Sequence, residues 1–460
     1  MKNIIFYGIA LLIFAVSWLS GKLFWTSFGL AFTGYIFLKL LDDLGRTIPI
    51  VELMTSLASL QWILGPVIEY GREEHHFKYY MYVGEREYMA FVVPAVLAFW
   101  IGAGLFKRRI SLDDIKLRID IILHNHPMFP YILIAAGIIA PFLSGFFPQS
   151  LKFVFFLVSN IKYVGVIYLI HSTHRFRWHI FIGVLILAVG ASLASGMFHD
   201  LLLWSMLLFT FLAKELKLNL GWKISSVVIG ILVVMTIQAV KTEYREYAWG
   251  GYQGNRFGLF LRIAGKEWGS GDIFLPSKDE NMNIRLNQGW IISAIMYNVP
   301  ANVPFAQGET IKDALTASFL PRFIYPDKPI AGGRANFRKF TSLSINDNTS
   351  MGISIAGEGY ANFGKLGGYI FMFFWGLFIG WFWRQLENLS RLFPTLLVWS
   401  PILFLQVVKA ETELTVVLNH LIKSSIVVFG LIWGIKMIWG ERWESEEEEG
   451  ESVIRSYKKV

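Results

Sequence analysis

The chain has 460 residues, of which 54% are hydrophobic, 16% aromatic and only 17% charged. Soluble domains carry about 25% charged residues, and mean hydropathy here is positive at +0.49, which excludes a soluble enzyme, a disordered chain and a fibrous one. Without cysteine there is no disulfide framework, thiolate metal site or cysteine nucleophile, and the net charge of +8 is scattered with no recognition motif, which argues against a nucleic-acid partner.

About 20 mostly apolar residues cross the hydrocarbon of a bilayer. That rule predicts spans near 3–20, 22–40, 48–68, 89–106, 129–147, 151–171, 178–195, 198–214, 222–240, 367–383, 392–409 and 423–440, twelve in all. The first follows only Lys2 and lacks a small-x-small cleavage site, so it reads as a retained helix and not a removed signal peptide. Basic residues then set the orientation. Arg118, Arg175, Arg177, Lys214, Lys217, Lys223, Arg384 and Arg391 follow even-numbered spans. Loops such as 148–150 and 195–199 are poor in them. Even-numbered loops and both termini are therefore expected in the cytoplasm. Lys409, Glu411 and Glu413 interrupt the apolar run 392–440, and an eleven-span alternative would flip the C-terminus.

This count divides the chain into four parts. Residues 1–240 form an N-terminal membrane bundle of about nine spans. Residues 241–366 form one large external segment with 14 Lys/Arg and 11 Asp/Glu, and with helix-like apolar pieces near 289–297 and 311–320. Residues 367–440 hold the C-terminal spans, and 441–460 form an acidic tail, Glu444–Glu451, expected to be a disordered cytoplasmic end. The expected fold is an all-α polytopic membrane protein of about twelve transmembrane helices. No Walker-type phosphate loop, H-E-x-x-H zinc motif, G-x-S-x-G elbow or Asp-x-Asp pair occurs.

Six segments carry chemical information. If span nine continues outward, Lys241 and Arg245 lie at i and i+4 on one helix face. Two cations at a helix mouth suit a diphosphate headgroup, although interfacial snorkelling beside Tyr244, Tyr247 and Trp249 is the simpler explanation from spacing alone. Pro321-Arg-Phe-Ile-Tyr-Pro-Asp-Lys-Pro329 has three prolines that each fix φ and remove a donor, which makes a stiff loop. Such a loop can hold Arg322 and Lys328 against phosphate oxygens, or be a structural turn with solvated charges. Gly332-Gly-Arg-Ala-Asn-Phe-Arg338 is basic, and Gly357-Glu-Gly-Tyr-Ala-Asn-Phe-Gly364 is small and Gly-rich. In it, Glu358 is a candidate general base for a sugar hydroxyl, or a residue that merely caps or pairs with a nearby Arg, and Asn362 has capacity for a sugar or the backbone. Finally, His199 and Asp200 sit in an outer turn, where they join the site or simply make the turn. Lys409, Glu411 and Glu413 are suspects as charges beside an apolar run.

With these segments in view, the chain resembles the bacterial oligosaccharide repeat-unit polymerases, the Wzy-like O-antigen and exopolysaccharide polymerases. The resemblance lies in Lys241-Thr-Glu-Tyr-Arg245, in 321–329, in 357–364 and in many spans with one large external loop late in the chain. It implies a GT-C-like membrane glycosyltransferase of the bacterial inner membrane. Donor and acceptor would be glycans on undecaprenyl diphosphate, with flippase and chain-length regulator proteins as candidate partners and no metal or cofactor. External arginines bind the lipid diphosphates in that family, a role for which Arg322, Lys328, Lys241 and Arg245 are the candidates here. Arg338, Asn362 and His199 complete the expected substrate contacts, and Glu358 is the expected base. A lipid-linked oligosaccharide flippase and an O-antigen ligase-type transferase are the alternatives.

Overall fold

The structure, a computed structural model, describes residues 2–75, 77, 79–106, 110–270, 286–320, 332–347, 349–393 and 395–439. Among them the chain is helical, and its one β-type pairing is an isolated bridge, Leu44 with Thr47. In chain order the helices are α1 (Lys2–Leu19), α2 (Phe24–Asp43), α3 (Ile50–Tyr70), α4 (Glu85–Gly104), α5 (Leu112–Asn125) and α6 (Phe129–Phe146, its last turn 3-10). Then come α7 (Lys152–His171), α8 (Arg177–Ser195), α9 (His199–Glu215), α10 (Leu220–Trp249), α11 (Arg256–Gly269) and α12 (Gly289–Asn298). The last are α13 (Glu309–Phe319), α14 (Arg334–Thr341), α15 (Ile355–Leu389), α16 (Ser400–Phe404) and α17 (Leu414–Trp439).

Nine of the described helices (α2, α3, α4, α6, α7, α8, α10, α15 and α17) are long and apolar enough to cross a membrane. The chain is a helical, membrane-embedded protein. In hydrocarbon every backbone polar group needs a partner within its own segment, and a helix supplies them all. Side chains such as Ile186, Ile229 and Phe374 stand outward on these helices, which costs nothing against lipid tails as apolar as they are.

Three of the twelve expected spans lack that length. The 198–214 candidate is α9, with 17 residues. At about 1.5 Å per residue it rises roughly 26 Å, a few ångströms less than the roughly 30 Å hydrocarbon core. The 3–20 candidate is α1, whose apolar stretch Asn3–Leu19 is similarly short. The 392–409 candidate breaks up: a 3-10 turn, Leu396–Trp399, runs into the five residues of α16, and 405–413 are not helical.

Two features of α15 organise the centre. Gly364 adopts φ +67°, a left-handed conformation that breaks the 35-residue helix into a short first part and a long second part. The long part carries Gly376-Leu-Phe-Ile-Gly380, a small-x-x-x-small face laid directly on the α4 backbone. A Cβ at Gly376 would meet the Phe99 carbonyl oxygen at 2.2 Å, and one at Gly380 the Ala103 oxygen at 2.5 Å. Close backbone approach of this kind is how membrane helices gain dispersion contact without a hydrophobic drive.

The 241–366 segment is continuous with the bundle. α10 runs on to Trp249, and α11 folds back along it, burying Leu259 and Ile263 against Val240, Tyr244, Leu193 and Phe198. The apolar pieces expected at 289–297 and 311–320 are α12 and α13. Trp290, Ile291, Ile292 and Ile295 of α12 are buried in the same hydrophobic cluster as residues of α3, α4 and α15.

One end of the bundle gathers described basic residues. Lys116 and Arg177 reach Glu215 at 2.8 and 3.0 Å. Arg118 donates to the Ser390 carbonyl at 2.5 Å, at the end of α15. The buried ammonium of Lys223 donates to the carbonyls of Leu41 and Leu44 at 2.9 and 2.5 Å. These are the orphan acceptors of the α2 C-terminus, where a cation is favoured by the helix dipole.

Candidate functional site

At the opposite end of α9 lies the tip of a hairpin. Residues 396–404 rise antiparallel to α17, with His420 Nε2 donating to the Ile402 carbonyl at 2.8 Å. The tip, 405–413, is the segment whose three charges interrupt the apolar run. Irregular backbone in a membrane protein persists where protein buries it or a wet cavity bathes it. Here Val407, Val408, Ala410 and Glu413 are buried, while Lys409, Glu411 and Thr412 are partly open. Polar side chains from other elements converge on the tip from two sides.

On the first side is Glu358. The Ser354 hydroxyl accepts from the Gly357 N–H at 3.1 Å and caps the start of α15. This places Glu358 in the first turn, where a carboxylate suits the helix dipole. Its side chain is fully buried, at 0% exposure. Thr310 of α13 donates to Oε1 at 2.6 Å, and the backbone N–H of Leu414 donates to Oε2 at 2.8 Å. Leu414 is the first residue of α17, so Glu358 supplies a cap to a helix 56 positions away in sequence.

Asn362, one turn later, donates to Thr310 Oγ1 and to the Glu358 carbonyl, both at 2.8 Å, and accepts from the Gly308 N–H at 2.9 Å. Its hydrogen-bonding capacity is thus spent inside the protein. Glu413 lies beside Glu358, buried at 2% exposure, and accepts from Asn336 of α14 at 3.0 Å. Burial pushes the Glu413 carboxyl above the usual carboxylate range, against the smaller opposite pull of Asn336 and the Gly333 N–H.

The second side is more open and more highly charged. His199 Nε2 lies 3.7 Å from Glu411 Oε1, with side-chain exposures of 52% and 33%. Lys409 Nζ lies 3.8 Å from Asp200 Oδ1; the lysine is nearly buried and the aspartate half exposed. Lys241 is close enough to act electrostatically on His199. The start of α9, the tip and the C-terminal part of α10 therefore pool five ionisable groups.

Lys241 and Arg245 share a helix face as expected but have different surroundings. Arg245 Nε donates to the Gly196 carbonyl at 2.9 Å, and its guanidinium stacks over Trp249 at 4.8 Å. Trp249 Nε1 donates to the Ser195 carbonyl at 3.1 Å, and Arg256 donates to the Ala194 carbonyl. Three consecutive carbonyls at the end of α8 are thus capped from α10 and α11, and the α8–α9 turn is pinned. Arg338 is also taken up locally, donating to the Ile345 carbonyl at 2.5 Å and pairing with Asp347 at 3.1 Å.

Arg322 and Lys328 lie outside the described residues, as does the acidic tail 441–460. The structure thus brings His199 and Lys241 together and sets Glu358 with Asn362 in a separate buried network. Thr310, Asn336 and Glu413, absent from the sequence-based site, complete that network; of these only Glu413 carried a signal, as a charge beside an apolar run. Among the described residues no group of three or more His, Asp or Glu is arranged to hold a metal ion.

Residues 118–438 match a family described as a domain of unknown function (DUF8712), and the chain belongs to that family. No curated protein and no solved structure matches the chain.

Proposed function

We propose that this member of the DUF8712 family is a membrane glycosyltransferase that joins undecaprenyl-diphosphate-linked oligosaccharide repeat units into a polysaccharide. The supporting observation is the open side of the hairpin tip. There Lys241, Lys409, His199, Glu411 and Asp200 meet at one end of a lipid-exposed helical bundle. A lipid-linked donor requires an apolar surface for its tail, cations for its diphosphate and a proton acceptor beside them. In this reading the acceptor sugar's hydroxyl attacks the donor's anomeric carbon as the carbon–oxygen bond to the diphosphate breaks. Undecaprenyl diphosphate leaves with the electron pair. Cations facing the leaving diphosphate lower the barrier most, because the charge develops in the transition state.

Lys241 serves that role from the described residues, and the sequence assigns Arg322 and Lys328 to it as well. Glu358, expected as the general base, has both oxygens engaged and no exposure, which suits a positioning group better. It ties α13 and α15 to the start of α17 and so holds the tip. The reading takes α1, α9 and the 396–404 leg as short crossings, giving twelve in a GT-C-like arrangement. It sets the basic end carrying Lys116, Arg177 and Lys223 in the cytoplasm of a bacterial inner membrane, with the tip outside.

The test is elongation by the purified full chain in liposomes supplied with a polyprenyl-diphosphate-linked repeat unit. The expected product is a ladder of lengths, lost in Arg322→Ala with the protein still folded and inserted. Transfer only to a lipid A core acceptor would instead identify a ligase. Translocation without a new glycosidic bond would identify a flippase, and either result replaces the polymerase reading.

A further inference from the structure

We infer that His199 and Glu411 form the proton-accepting pair of this site, with the imidazole taking the acceptor's hydroxyl proton and the carboxylate orienting it. The inference rests on the glycosyl-transfer reading. Of the carboxylates around the tip, Glu358 and Glu413 are sealed at 0% and 2% exposure and engaged by protein donors. Asp200 faces Lys409. That leaves Glu411, one-third exposed, directed at His199, which is half exposed.

The pairing has the logic of a base oriented by a carboxylate. With Nε2 carrying its hydrogen toward Glu411, the lone pair of Nδ1 is free to receive a proton. The 3.7 Å separation is longer than a hydrogen bond, and catalytic contacts of this kind tighten when substrate binds.

The position of His199 is fixed from behind. Phe198 is buried against Tyr244 and Phe260, with ring centroids 6.0 and 5.7 Å away. The turn before it is held by Arg245, Trp249 and Arg256. Charged groups act on the imidazole from every neighbouring element: Asp200 from α9, Lys409 and Glu411 from the tip and Lys241 from α10. The two lysines oppose a resting imidazolium, and Glu411 stabilises the one formed during reaction.

The step balances without a further reagent. The hydroxyl O–H bond breaks and its proton moves to Nδ1. The oxygen's electrons form the bond to the anomeric carbon, and the diphosphate leaves with the pair from the broken carbon–oxygen bond. The imidazolium then returns its proton to solvent.

The experiment measures elongation rate against pH and donor concentration for the full chain in liposomes, using a polyprenyl-diphosphate-linked repeat unit. His199→Gln is expected to lower kcat about 100-fold or more with donor KM little changed. Glu411→Gln is expected to lower the rate about tenfold. It should also move the acid limb of the profile to lower pH, because losing the carboxylate makes the imidazole harder to protonate. A wild type that elongates beside two variants within about twofold of its rate, with the limb unmoved, overturns the pair alone. A wild type that makes no ladder overturns the glycosyl-transfer reading, and the pair's role with it.

Discussion

Replacing Glu358 tests the buried network most directly, and two substitutions separate its parts. Glu358→Ala removes both acceptor oxygens at a site with no exposure. The Thr310 hydroxyl and the Leu414 N–H then lose their partner where water cannot replace it. A buried donor left unmet costs about 1–3 kcal/mol. The hydroxyl can rotate toward another acceptor and the backbone N–H cannot, so the expected loss is about 2–4 kcal/mol in total. Glu358→Gln behaves differently. Its amide oxygen accepts from Leu414, while its NH2 donates to Thr310 Oγ1, an oxygen that already accepts from Asn362 at 2.8 Å. The Thr310 proton then lacks a carboxylate, at a cost of about 1 kcal/mol. Denaturant unfolding of the full chain in micelles, followed by tryptophan fluorescence, should rank wild type above Gln and Gln above Ala. In the liposome assay Gln should keep most of the elongation rate, since a positioning group need not carry a proton. An alanine variant within about 0.5 kcal/mol of wild type would refute the network as described.

The remaining predictions concern the helix crossing and the buried acid beside Glu358. Gly376→Ala gains helix propensity yet places a methyl 2.2 Å from the Phe99 carbonyl oxygen, so α4 and α15 must part. Overpacking of this kind costs about 1–3 kcal/mol, and the thermal midpoint should fall. The same change at Gly230, where nothing lies within 4 Å, should leave the midpoint level or raise it, and equal responses at both positions would contradict the close crossing. Glu413 sets a pH dependence of stability. Its folded carboxyl titrates above the unfolded one, so the folded state holds the proton more tightly. Stability should therefore fall as pH rises from the ordinary carboxylate range through the folded value, and stay flat beyond it. Glu413→Gln should flatten that slope in a midpoint-against-pH series; an unchanged slope would remove Glu413 as its source.

What the sequence alone determined is what short-range physics controls. Nine of the expected spans appear as long apolar helices because covering a backbone in hydrocarbon is decided within one segment of about 20 residues. The continuation of α10 to Trp249 and the apolar pieces that became α12 and α13 were legible for the same reason, as was the shared face of Lys241 and Arg245. Hydropathy did not show that α1, α9 and 392–409 fall short of a full-length spanning helix, because it measures apolar content and not helix length. Tertiary structure decided what the charges do. Arg245 was drawn to the Gly196 carbonyl left bare at the end of α8, while Lys241, four residues earlier, acts on His199. Glu358 and Leu414 meet only because α15 and the hairpin converge, and no period or spacing encodes that contact. The tip looked like a flaw in an apolar run, and folding made it the meeting point of α9, α10, α14 and α15. A charge can be read from the sequence, but its partner is set by which chain ends the bundle brings together.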